Sequence, residues 1–373
     1  MKPILTFLKN FLAQKRIVGN ATELEGLAKV DAILATLINE RRVPGISITV
    51  LGQGEVLLQK GYGYTDLDLK TRVEPKKTIF RIASVSKPIA ATALAQMVKA
   101  GVMDLDASFY KYVPYFPKKR WDFSIRQLAG HTAGIRGYRG KEYGLNEPYS
   151  IKESITIFKD DDLLFQPGTA YHYNSFDWVM ISLAMQEASG MAFEDYVRQK
   201  VLLPLGMDRT FAEYPPDHDF WAMEEAGISG NFNRTTFYSK NRHGFRKSIP
   251  VNNYYKIAGG GYLSTTEDIA KLGQAYLDGK IVDKEVVSQF LTSGKIKDNP
   301  TYYGLGWEVS RDKRGRPFYG HIGNGIGGYS NFFVYPELQM VFAILINCTD
   351  PKVQTELDEV VDILSNLHAS PIL

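Results

Sequence analysis

Apolar positions recur at two different periods along this chain, and the two periods are segregated by region. Leu24, Leu27, Val30, Leu34, Leu37 and Ile38 repeat at helical spacing behind the capping-box pattern Thr22-Glu23-Leu24-Glu25, and Pro44-Gly45 ends the run. The β-branched content of residues 45–51 and 56–60, and the three-residue joint Gly52-Gln53-Gly54 between them, predict a hairpin. From 102 to 210 the pattern is helical, at 123–129, 151–158, 176–188 and 193–203, with long loops between and a break at Ser189-Gly190. Residues 207–255 are polar, dotted with aromatics and without a period. A stretch this long and irregular reads as an active-site wall rather than a surface meander. Gly259-Gly260-Gly261 then leads to a helix capped by Ser264 or Thr265 and running to 277. Strands are predicted at 306–311, 317–321, 329–334 and 340–346. Val353, Leu357, Val360, Val361, Leu364 and Leu367 mark a closing amphipathic helix.

Strands at both ends and helices in the middle predict an α/β (α+β) fold. Its mainly antiparallel sheet is built from both chain ends and flanked by helices, with an inserted, mostly helical domain. The expected division is an N-terminal segment 1–20, a sheet domain from 21–100 plus 256–373, and a helical insertion at 101–255. No internal repeat is present.

Composition narrows the function classes. Of 373 residues, 44% are apolar and 23% charged, as in ordinary globular proteins. The 44 basic and 41 acidic residues nearly cancel, which argues against a nucleic-acid partner. A lone cysteine, Cys348, rules out an internal disulfide and a cysteine-based metal site, and reads as a buried structural thiol. No HExxH, P-loop, GxGxxG or GxSxG pattern occurs. At the N-terminus, Ile4, Leu5, Phe7, Leu8, Phe11 and Leu12 lie at helical spacing among lysines. Residues 1–16 therefore suit either peripheral membrane contact or packing on the protein's own core. Lys9 interrupts a would-be signal core, which argues for the cytoplasm.

Three stretches could carry chemistry. Ser84-Val85-Ser86-Lys87, at a predicted helix start, sets a hydroxyl and an amine on one face. A serine attacks poorly until a neighbouring base takes its proton, and this spacing offers one. A second such match, Ser108 to Lys111, is filled with aromatics and set aside. Gln166-Pro167-Gly168 leads through Tyr173 to Ser175 just before a helix. Gly320-His321-Ile322-Gly323-Asn324-Gly325 sits at a strand end, where glycine admits close approach of a ligand.

In order and spacing the three resemble the motifs of the class C β-lactamase-like serine hydrolases, a family of β-lactamases, carboxypeptidases, D-amino-acid peptidases, esterases and a mitochondrial β-lactamase-like protein. Ser84 and Lys87 match its Ser-x-x-Lys, Tyr173 its Tyr-x-Asn, and His321 with Gly323 its His-x-Gly. The stretches LAGHTAGI, GGGYLSTTEDIAKL and GGYSNFFVYPELQMVFAILIN are similar too, and the likeness runs over about 25–366. The resemblance implies a β-lactamase/transpeptidase-like fold and an acyl-enzyme on Ser84, without cofactor or metal. Lys87 and Tyr173 would share the proton work, and the amides of Ser84 and Asn324 would hold the oxyanion. It also implies that His321 would meet substrate or Tyr173 as a weak, pH-dependent cation, and it points to the bacterial envelope. Ser175 departs from the family's asparagine, and serine cannot reproduce the donor–acceptor pair of an amide. Ester or peptide/amide hydrolysis is therefore preferred over β-lactam hydrolysis. The alternatives are a true β-lactamase or D-Ala-D-Ala carboxypeptidase, and a non-catalytic penicillin sensor or scaffold. His131, His172, His218, His243 and His368 read as structural. Natural substrate and oligomeric state stay open.

Overall fold

Residues 340–346, MVFAILI, are apolar at every position because both faces of the strand they form are covered. The computed structural model describes residues 24–214 and 233–369. The N-terminal segment, Thr22 of the expected capping box and His218 lie outside them. A seven-stranded sheet organises the fold. Its strands are β1 (Gly45–Gly52), β2 (Glu55–Asp66), β3 (Thr71–Arg72), β4 (Glu308–Arg311), β5 (Pro317–Gly325), β6 (Gly328–Tyr335) and β7 (Met340–Ile346), in the order β4-β5-β6-β7-β1-β2-β3. All its pairings are antiparallel, and β1 joins the two chain ends by pairing with β7 in the register Ile46↔Ile346 to Gly52↔Met340. The fold class is thus as the pattern of strands and helices predicts.

Alternation along the strands decides what packs where. Ile46, Ile48, Val50, Phe342, Ile344 and Ile346 face one side, against Val30, Leu34 and Leu37 of α1 (Gly26–Asn39) and Leu357, Val360 and Leu364 of the C-terminal helix Gln354–Ala369. Val341, Ala343, Leu345 and Phe332 face the other, into the larger core. That core holds α2 (Ser86–Lys99), α3 (Phe176–Ser189) and α4 (Thr266–Leu277). Ser47 and Thr49 also point this way, and both hydroxyls bond Thr266 Oγ1, at 2.8 and 2.9 Å, which ties the start of α4 to β1.

Several boundaries differ from those predicted. α1 opens at Gly26 with Glu25 at its N-cap and no side-chain cap bond, so its start falls past the expected capping box. The β1–β2 joint is shorter than predicted because Gln53 and Gly54 both take positive φ, 52° and 83°, as a two-residue hairpin turn requires. β5 continues to Gly325, well past the predicted end at 321, since β6 pairs with it from Tyr319 to Gly325. Leu27 and Leu367, assigned to buried stripes, are each 51% exposed. Thr265, not Ser264, caps α4, accepting the Asp268 amide. Cys348 is buried, as expected.

Candidate active site

Ser84 does not stand in the α-helix itself. Ala83–Val85 form a 3₁₀ turn immediately ahead of α2, and Ala83 takes a positive φ of 45°. This turn lifts the Ser84 hydroxyl clear of the helix while Lys87, in the first turn of α2, reaches back to it. Lys87 Nζ lies 3.1 Å from Ser84 Oγ and donates to Gly259 O at 2.7 Å. Tyr173 OH lies 2.8 Å from the same Ser84 oxygen, approaching from the loop that precedes α3. The lysine is fully buried, and α2 around it is apolar on all sides, with Ala90, Ala91, Ala93 and Leu94 inside the core.

Electrostatics follow from that burial. Loss of water pulls the Lys87 ammonium down to about 7, helped by the charge of Lys256 and resisted by Asp177 and Glu308. The Tyr173 phenol is held above its ordinary value, first by desolvation, with the Ser84 bond pulling the other way. The residue is 39% exposed, so that rise is smaller than a wholly buried phenol would show. Of the two groups touching Ser84, the amine is therefore the one more readily free of its proton near neutrality.

Gly323 packs β5 directly onto the Ser84 turn, and Ser330 Oγ of β6 ties down Ile82 O at 2.6 Å. Backbone direction alternates along β5. The Ile322 amide points out over the sheet edge toward Glu308 Oε1, so the Asn324 amide, two residues on, points over the same edge beyond the end of β4. Ser84 and Asn324 line two spaces at once. One is an open groove of about 550 Å³ that also contains Tyr173, Tyr303, Glu308 and His321. The other is a small cavity of about 50 Å³ that also contains Ser175, Lys256 and Gly260. All seven residues singled out from the sequence, Ser84, Lys87, Tyr173, Ser175, His321, Gly323 and Asn324, are thus brought around one hydroxyl.

The expectation for His321 is corrected. It is 1% exposed, with Nε2 3.0 Å from Tyr303 OH and Nδ1 2.7 Å from Ile322 O. Both nitrogens are taken: Nδ1–H donates to the carbonyl, and Nε2 accepts from the phenol. Burial and the Lys87 charge push its pKa to about 3, so the ring is neutral and makes no cation for a substrate. Its ring packs against that of Tyr173 in a tilted arrangement, at a centroid separation of 5.8 Å.

Sequence reasoning missed several groups. His131 is no mere turn residue, because its ring packs 4.6 Å from that of Tyr173 and its Nδ1 lies 2.8 Å from Asp177 Oδ2. Asn174, next to the motif tyrosine, donates to the same Asp177 oxygen at 2.7 Å. Burial drives this pair toward its neutral forms, His131 down and Asp177 up. Glu308, held up at about 7 mainly by desolvation, faces the groove. Arg81 makes a buried fork to Glu213, with Nε–Oε2 and Nη2–Oε1 both 2.8 Å. No short motif flags any of these. Asp177, four residues past Tyr173 and otherwise inside an apolar helix, is the one such signal. Among the described residues no group of three or more His, Cys, Asp and Glu side chains converges as a metal site requires. No described helix is long and apolar enough to cross a membrane.

Comparison with known proteins agrees with this geometry. The mitochondrial serine β-lactamase-like protein LACTB of Homo sapiens is 26% identical over 402 aligned residues, covering 82% of this chain and 71% of that protein. The octameric penicillin-binding protein homologue from Pyrococcus abyssi superposes with a TM-score of 0.76 at 25% identity, over 90% of this chain and 77% of that one. The D-amino acid amidase from Ochrobactrum anthropi SV3 shares the fold, with a TM-score of 0.77 at 20% identity, over 91% and 99%. The family model described as Beta-lactamase matches residues 30–365, and the chain belongs to that family, within the serine hydrolase superfamily.

Proposed function

We propose that this protein hydrolyses ester or amide bonds through an acyl-enzyme on Ser84. The observation that carries the reading is the convergence of Lys87 Nζ and Tyr173 OH on one serine oxygen, at 3.1 and 2.8 Å. With its amine neutral, Lys87 takes the hydroxyl proton as Ser84 Oγ bonds to the carbonyl carbon. The carbonyl oxygen, now carrying the negative charge, rests on the amides of Ser84 and Asn324. The first-turn amide has no helical acceptor, and such donors each contribute a few kcal/mol to a transition state. As the tetrahedral carbon collapses, Tyr173 gives its proton to the leaving oxygen or nitrogen and recovers one from Lys87. Water then repeats the sequence on the acyl-enzyme, returning the Ser84 proton and releasing the acid.

Esters and amides are favoured over β-lactams by the groove. His321 is neutral where β-lactam-binding relatives present lysine, and Glu308 would repel a carboxylate on the leaving half. The amidase among the structural neighbours supports acyl transfer at this kind of site.

Labelling with a fluorophosphonate probe tests the proposal. Wild-type protein is expected to label and Ser84→Ala not to, and a chromogenic ester is expected to turn over faster than a chromogenic cephalosporin. Label retained on Ser84→Ala, or ester turnover in Lys87→Ala within threefold of wild type, would refute it.

A further inference from the structure

Lys256 is nine-tenths buried at the wall of the small cavity beside Ser84, and its ammonium has no hydrogen-bond partner among the described residues. It stands only over aromatic faces, 5.3 Å from the Tyr138 ring centroid and 5.7 Å from that of Tyr255. The one carboxylate close by is already spent. Glu213 receives Arg81 through both oxygens, Arg234 Nη2 at 2.6 Å and Asn253 Nδ2 at 2.8 Å. Three basic groups thus surround a single acid; Arg81 and Lys256 both line the cavity, and of these two Lys256 is the one without a hydrogen-bond partner. The stem of Lys256 is buried and its ammonium opens on the cavity, where a partly desolvated charge favours an anionic partner.

The cavity has the matching size and place. Ser175, Gly260 and Asn324 line it with Ser84, and its 50 Å³ admits a carboxylate with a carbon or two. Tyr173 lines the groove and not this cavity. The leaving half must lie beside the group that hands it a proton, which puts it in the groove and the acyl half in the cavity. We infer that Lys256 is a specificity residue that binds a carboxylate on the acyl half of the substrate, so that the preferred substrates are half-esters or half-amides of short dicarboxylic acids. This rests on the acyl-enzyme reading for which half lies where. Burial and the Arg81 charge hold Lys256 down to about 8, and an arriving carboxylate would relieve that strain on its charge.

The test compares release of benzyl alcohol from monobenzyl succinate and from benzyl butanoate, its neutral counterpart. A charge-assisted hydrogen bond predicts a kcat/KM ratio of acid to neutral ester of about 10 to 100 in wild type. The ratio is expected to fall toward one in Lys256→Met and to survive in part in Lys256→Arg. A wild-type ratio at or below one, or an unchanged ratio in Lys256→Met, would overturn the inference. Failure of the hydrolase reading would appear separately, as no release from either ester and no fluorophosphonate label. The subsite is then decided by saturation-transfer NMR of monobenzyl succinate. Signal lost in Lys256→Met supports it, and equal signal in both proteins overturns it.

Discussion

Gly323 passes so close to the Ser84 turn that a Cβ on it would lie 3.0 Å from Ser84 N, 2.5 Å from Ile82 O and 2.2 Å from Ser330 Oγ. Two of those three atoms are backbone and cannot rotate away. Gly323→Ala must therefore push β5 off the turn, and β5 carries the Asn324 amide. Overpacking of this kind costs about 1–3 kcal/mol of stability. A displacement near 1 Å between the serine and an oxyanion donor costs about 100-fold in rate. Ester kcat/KM is expected to fall by roughly that factor while the protein still folds, as read by circular dichroism. A Gly323→Ala protein with wild-type turnover would show that β5 does not hold the oxyanion.

The Lys87 amine must be unprotonated to act as the base, so kcat/KM is expected to rise with pH through about 7. Neighbouring charges set where that limb falls. Glu308 favours the protonated form of Lys87, and Lys256 disfavours it. Glu308→Gln is therefore expected to move the limb to lower pH, and Lys256→Met to higher pH. Full pH–rate profiles on a neutral ester decide this, and shifts in the same direction for both variants would contradict the assignment of the base.

Much of this site was legible in the sequence because its parts are local. Ser84 and Lys87 share a turn, and Tyr173 and Gly323 sit beside Pro-Gly or Gly-rich turns that make them conspicuous. Strand and helix identities followed from period, since the apolar run at 340–346 and the stripes on α1 and α4 admit few other readings. The irregular stretch before α4 does supply Asn253 to the small cavity's wall. What stayed hidden depends on distant pairing. Glu308 and His321 meet only because β4 pairs with β5, in the register Glu308↔Gly320. Lys256 and Glu213 acquire meaning only from burial beside Arg81. The neutrality of His321 comes from its burial and from the charge of Lys87, a long-range neighbour, and so its charge was misjudged.

Asp177 is expected to hold Tyr173 in place through His131. Its Oδ2 accepts from Asn174 and pairs with His131 Nδ1, and the His131 ring supports that of Tyr173. Asp177→Ala leaves the buried His131 Nδ1 without a partner, at about 1–3 kcal/mol, while Asn174 Nδ2 keeps the carbonyls of Ile135 and His172. The variant is expected to be about 1–3 kcal/mol less stable by urea titration and to lose about 10-fold in kcat, more than any change in KM. Stability within 0.5 kcal/mol of wild type (about the scatter of neutral surface changes) would mean that the pair is not structural.

Lys87 itself is expected to be a stability liability. Its ammonium has a pKa near 10.5 in the unfolded chain and about 7 when folded. Between those values the unfolded chain binds more protons, so wild-type stability rises with pH from 7 toward 10, and the deficit is complete below pH 7. At about 1.4 kcal/mol per pH unit, the full deficit is on the order of 5 kcal/mol. Lys87→Met keeps an unbranched apolar stem but leaves Gly259 O without its donor, which returns about 1–3 kcal/mol. The variant is therefore expected to be inactive yet more stable than wild type by about 2–4 kcal/mol at pH 6, with the advantage gone or reversed by about pH 10, where the loss at Gly259 O outweighs what is left of the deficit. Denaturant titrations at the two pH values measure this. A Lys87→Met protein less stable than wild type at pH 6 would mean that the lysine keeps its proton in the folded protein, and the serine would need another base.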